Sequence, residues 1–129
     1  MFAYLNGTLE EIEKNQIVLD VNGVGYMLTV PNGVVDKLPS IGNNVKLYTY
    51  LINREDTQEL YGFIDKQQKT MFEKLITVSG IGPKGALSVL SALSTDEIVR
   101  AIISEDITSL TKAAGVGKKT AQRIILDLK

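Results

Sequence analysis

The sequence predicts an α+β, multidomain protein: a five-stranded β-barrel followed by an all-α domain. Three observations carry this. The hydrophobic period changes from two to about 3.6 near Gly62–Asp65. An Asn22-Gly23 pair divides two β-branched runs. One phrase, Gly-(Ile/Val)-Gly-x-Lys, stands at 80–84 and again at 115–119, each time ahead of an apolar helical pattern.

The strands come first. "MFAYLNGTLEEIE" (1–13) reads as a strand, and "QIVLDVNGVGYMLTV" as two strands around Asn-Gly, the strongest short hairpin signal. "NVKLYTYLI" (44–52) and "ELYGF" (59–63) complete the set, with turn chemistry at "PNGVVDKLPSIGNN". Five short strands within residues 1–64 suit a small barrel, of which the OB-fold is the commonest five-stranded kind. Periodicity leaves an SH3-like barrel open.

Residues 65–129 read as about five helices. "DKQQKTMFEKLITV" carries Met71, Phe72, Leu75, Ile76 and Val78 at helical spacing. "KGALSVLSAL" follows the first glycine pair. "STDEIVRAII" opens with Ser94-x-x-Glu97, a capping box. "DITSLTKAA" is a short helix from about Asp106, and "KKTAQRIILDL" follows the second glycine pair with Ile124, Ile125 and Leu128 on one stripe.

Composition narrows the chemistry. The 129 residues contain no cysteine and no histidine. Disulfides, thiolate metal sites and histidine-based triads are therefore out, and carboxylates are the only side-chain metal ligands left. No run of about 18 apolar residues exists to span a membrane, and the N-terminus lacks a signal-peptide pattern. A cytoplasmic location is expected, with no cofactor. Net charge is −1, but unevenly spread. Residues 1–64 hold four basic and eight acidic residues; residues 65–129 hold ten basic and seven acidic. The first part is thus acidic and the second suited to a polyanion, although ordinary solvated surfaces would give the same totals.

Aligned at an offset of 35, Gly80, Ile81, Gly82, Lys84, Ala86 and Leu93 fall on Gly115, Val116, Gly117, Lys119, Ala121 and Leu128. The first glycine is expected at positive φ, ending the incoming helix. The branched residue plugs between helices. The second glycine leaves amides uncovered at the next helix start, where Pro83 fits the first helical position. Such a helix start attracts phosphate through free N–H donors and the helix dipole. Lys84 and Lys119 add charge one step further on, and Lys118 and Arg123 add more in the second copy. A single Gly-x-Gly is equally a tight interhelical turn; two copies with lysine at one offset favour two grips on one nucleic-acid backbone.

"VSGIGPKGALSVLSAL" and "AAGVGKKTAQRIILDL" resemble paired helix-hairpin-helix motifs. With "LDVNGVGYMLTVP" and "REDTQELYGF" before them, the whole chain resembles the RuvA family, the Holliday-junction-binding subunits of the bacterial RuvAB branch-migration complex. The resemblance implies an OB-fold that builds a four-fold tetramer, with an octamer on DNA as the doubled form. It implies hairpins that touch the phosphates of four-way junction arms from the minor-groove side. Carried over, the DNA contacts are Gly80, Gly82, Lys84, Gly115, Gly117, Lys118, Lys119 and Arg123. The family's acidic pin falls on Glu55 and Asp56, where carboxylates would repel stacked duplex. Read without the family, "NREDTQE" is a solvated hairpin tip. The family's third domain, which binds the RuvB motor through a flexible linker, has no counterpart up to "ILDLK", so DNA binding and tetramer formation are implied and motor coupling is not. The competing readings are a helix-hairpin-helix repair enzyme, glycosylase or nuclease, and a purely oligomeric assembly module. The first would need convergent carboxylates and an aromatic wedge, which the sequence does not display.

Overall fold

The computed structural model describes residues 2–129; Met1, included in the expected first strand, lies outside them. Two compact units divide the chain, one through Lys69 and one from Thr70 to Lys129.

The first unit is a closed barrel with strand order β1-β2-β3-β5-β4. Its strands are β1 (Tyr4–Glu13), β2 (Gln16–Val21), β3 (Val24–Thr29), β4 (Asn44–Asn53) and β5 (Gln58–Phe63). Asn22 and Gly23 turn β2 into β3 with φ of 53° and 89°, the two positive values a type I′ turn demands. Asp20 accepts the Gly23 amide at 2.8 Å and steadies that turn. β1 serves two neighbours: Tyr4–Thr8 pair with β4, and Thr8–Glu13 pair with β2. The register shifts between Leu9 and Glu11, a bulge that bends the strand between its partners. Closure comes from the parallel pairing of β3 with β5 at Thr29 and Tyr61. This strand order is that of an OB-fold and resolves the choice between barrels.

Leu5, Leu9, Ile17, Leu19, Leu28, Val30, Val34 and Leu47 fill the interior. Each buried aliphatic side chain of this kind stabilises by about 1.5–3 kcal/mol. Val34 comes from α1 (Asn32–Val35), a single turn between β3 and β4. Turn chemistry alone was expected there; four residues are too few to produce a helical period. Thr49 is buried and satisfied, its hydroxyl donating to the Phe2 carbonyl at 2.6 Å.

The remaining helices are α2 (Lys66–Leu75), α3 (Pro83–Ala92), α4 (Thr95–Ile103), α5 (Ile107–Leu110) and α6 (Lys118–Leu128). The capping box forms in full at α4: Ser94 Oγ accepts the Glu97 amide at 3.2 Å, and Glu97 Oε1 accepts the Ser94 amide at 2.9 Å. α4 ends in a left-handed residue, Glu105 at φ 57°, with the Asp106 amide reaching back to the Ala101 carbonyl at 2.7 Å. Asp106 then caps α5 by accepting from the Ser109 amide and hydroxyl at 3.1 and 2.6 Å. α5 is a single turn, shorter than the stretch expected from "DITSLTKAA".

Candidate nucleic-acid interface

The two glycine phrases fold into the same backbone. Val78 and Ala113 donate to the carbonyls of Leu75 and Leu110 at 3.1 and 3.3 Å. Ile81 and Val116 donate to Val78 and Ala113 at 3.0 and 3.1 Å. Ala86 and Ala121 donate to Gly82 and Gly117 at 3.0 and 2.9 Å. Every one of these bonds recurs at an offset of 35. The buried positions repeat as well: Leu75 with Leu110, Val78 with Ala113, Ile81 with Val116, Ala86 with Ala121 and Val89 with Ile124. The branched residue between the glycines is the plug its spacing implied.

Gly80 and Gly115 take φ of 89° and 79°, a conformation that side chains strain to adopt. Contrary to the expectation from sequence, they do not end their incoming helices directly. α2 stops at Leu75 and α5 at Leu110, so a four-residue turn intervenes in each copy. Hydrogen bonds through that turn already satisfy the last helical carbonyls, which leaves the glycine to redirect the chain.

Gly82 and Gly117 differ in kind. They precede α3 and α6 with φ of −96° and −87° and extended ψ, which any residue can adopt. A Cβ at either position would meet nothing within 4 Å. Serine or aspartate caps such a helix start better than glycine, as Ser94 and Asp106 do for α4 and α5. At α3 and α6 no side chain caps the start. The fold itself has no need of glycine there. What glycine leaves is open access to the first amides of a helix, which lack intrahelical partners. In the first copy these belong to Lys84 and Gly85, since Pro83 has no N–H; in the second, to Lys118, Lys119 and Thr120.

The charged groups stand around these openings. Lys84, Lys118 and Lys119 are exposed. Arg123 pairs with Asp127 one turn on, Nε to Oδ2 at 3.2 Å, with half of its side-chain surface still open. Its expected phosphate role therefore competes with an internal partner, an i,i+4 pair that the sequence already displayed.

Glu55 and Asp56 form the two-residue tip of the β4–β5 hairpin. Asn53 pairs with Gln58 beneath them, and the Arg54 amide donates to the Thr57 carbonyl at 2.8 Å. Both acids are exposed. Nearby on the same strand pair, Tyr61 is buried and donates to Glu59 at 2.9 Å; burial, first, and that bond push its phenol up to about 12. In the helical unit, hydrogen bonds with Ser94 hold Glu97 below the usual carboxylate range, and those with Ser109 do the same for Asp106. Glu105 is lowered by its hydrogen bond from Lys129. Among the described residues no helix is long and apolar enough to cross a membrane.

Comparison with known proteins accounts for both units. Residues 1–62 match the model of the RuvA N terminal domain, and residues 72–129 match a SAM-like helix-hairpin-helix tandem. All 129 residues align, at 49% identity, with the Holliday junction branch migration complex subunit RuvA of Pseudomonas fluorescens strain SBW25. Identity is 50% with the protein of the same name from Thermoanaerobacter sp. strain X514 and 49% with that from Acetivibrio thermocellus. The chain spans 64%, 69% and 64% of the length of these three relatives. With two domain models met in order and half the residues shared along its full length, the chain belongs to the RuvA family.

Proposed function

We propose that this chain binds four-way DNA junctions by their sugar-phosphate backbone, without reading sequence, as a homotetramer that holds the junction open. The observation that carries the reading is the repeated hairpin, whose Gly82 and Gly117 leave uncapped helix starts unobstructed. Two such starts, each backed by lysine, grip two points along one strand. Glu55 and Asp56 act by repulsion: a carboxylate close to a phosphate costs about 1 kcal/mol in water and more where water is scarce. At a junction centre that penalty falls on stacked duplex and spares separated strands. The chain performs no chemistry of its own in this reading. Its relatives are named as subunits of a branch-migration complex, and a motor ATPase, RuvB, would drive the migration during DNA recombination and repair.

Titrating the protein against a four-way junction and a linear duplex of the same sequences tests this. Junction affinity should exceed duplex affinity and fall steeply with salt, by roughly 0.9 log units per log unit of salt for each phosphate neutralised. Equal affinity for the two substrates would remove the junction from the proposal. Sedimentation with and without the junction tests the tetramer separately.

A further inference from the structure

The hairpin repeat is broken at one instructive position. Residue 88 in the first copy corresponds to residue 123 in the second, and the chain places serine at one and arginine at the other. Arg123 turns to Asp127 on its own helix. Ser88, in the middle of α3, does something else. A helical serine commonly donates to a carbonyl of its own preceding turn. The Ser88 hydroxyl instead donates to the carbonyl of Ala114, 26 residues away, at 2.7 Å. Ala114 immediately precedes Gly115 in the loop of the second hairpin.

We infer that Ser88 is a positioning residue, which ties the outgoing helix of the first hairpin to the loop of the second and so sets the separation of the two amide clusters. The inference rests on the DNA-binding reading above. The peptide between Ala114 and Gly115 is planar and trans, so its carbonyl and its N–H point in opposite directions. Pinning the carbonyl towards α3 aims the Gly115 N–H away from α3. It also fixes the loop that leads directly into Gly117 and the start of α6. Two grips on one backbone cooperate only while their spacing matches that of the phosphates; a loose second grip contributes less effective concentration. The arginine at 123 means that the reciprocal strap, from α6 to the first loop, has no hydroxyl to form it.

The test uses Ser88→Ala and Ser88→Thr, each in the native chain and in a Lys118→Ala, Lys119→Ala background, with a four-way junction as the probe at one salt concentration. Loss of one such bond should weaken junction binding about three- to tenfold in Ser88→Ala. Threonine keeps the hydroxyl and should stay within about twofold of the native chain. In the Lys118→Ala, Lys119→Ala background, where the second grip is already weakened, Ser88→Ala should change affinity less than about twofold. Unchanged binding by Ser88→Ala in the native chain overturns the inference. So does an equal loss in both backgrounds, which marks a general effect on folding. If the lysine variant itself binds as tightly as the native chain, the DNA-binding reading of the second hairpin falls and takes this inference with it. The two failures are told apart by which variant keeps native affinity.

Discussion

At Gly82 the next helix begins with proline and a single lysine; at Gly117 it begins with two lysines and continues to Arg123. The incoming helices differ too, ten residues in α2 against four in α5. Yet the turn hydrogen bonds match one for one across the 35-residue offset. The hairpin backbone therefore depends on few positions: glycine at positive φ, a buried branched plug and a buried alanine in the following helix. Everything facing solvent is free to vary. The second copy has used that freedom to gather charge and to keep one more helix-start amide, while the first has used it to hold its neighbour through Ser88.

The contrast between the two glycines of each copy is the place to strike hardest. Gly82→Ser with Gly117→Ser should raise stability by about 0.5 kcal/mol per site, since serine caps a helix start and narrows the unfolded ensemble. The same pair should lower junction affinity at least about tenfold per site, because the hydroxyl takes the amide that a phosphate needs. Gly80→Ala with Gly115→Ala should act on stability instead, costing about 1–2 kcal/mol each through left-handed strain. Thermal melts beside binding titrations separate the two. Binding retained by the serine pair would end the claim that these amides are used.

Charge comes next. Lys118→Ala with Lys119→Ala should cut the salt slope of junction binding by about 2, and Lys84→Ala by about 1. Equal slopes for the two variants would mean that the hairpins contribute alike despite their composition. Glu55→Lys with Asp56→Lys should strengthen duplex binding severalfold and narrow the preference for junctions, as about 1 kcal/mol per close charge pair implies. Flat duplex affinity would show that the tip does not work by repulsion.

The smallest effects concern pH, and they oppose the two units. Glu97, Glu105 and Asp106 have folded-state pKa values below the ordinary carboxylate range. They stabilise the helical unit above that range, and the stabilisation is lost as pH falls through the lowered values. Tyr61 is raised to about 12. It stabilises the barrel fully below the ordinary tyrosine value, and that contribution is lost as pH rises from about 10 to about 12. Unfolding followed separately in each unit should show acid sensitivity in the helices and alkaline sensitivity in the barrel. Asp106→Asn should flatten the first and Tyr61→Phe the second.

How much of this was legible beforehand follows the range of each interaction. The Asn22-Gly23 turn, the Ser94–Glu97 capping box and the doubled hairpin could be read from residues two to five positions apart, because φ preferences and side-chain caps act at that distance. The Arg123–Asp127 pair is equally local, since residues four apart on a helix are neighbours. α1 left no trace because one helical turn has no period. The acidic tip needed a family resemblance, for two exposed acids in a turn look like any solvated loop.

By itself, then, the sequence determined where the strands and every helix but α1 begin, which glycines bend the chain and which helix starts stay uncapped. Tertiary structure decided the rest. An alternating strand pattern is compatible with several barrels, and only the pairing of Thr29 with Tyr61, 32 residues apart, chose this closure. Likewise no local rule joins Ser88 to Ala114; the bond exists because packing brings α3 against the second loop. Short-range preferences act within a turn of the chain, whereas closure and the strap between hairpins depend on which distant surfaces bury one another.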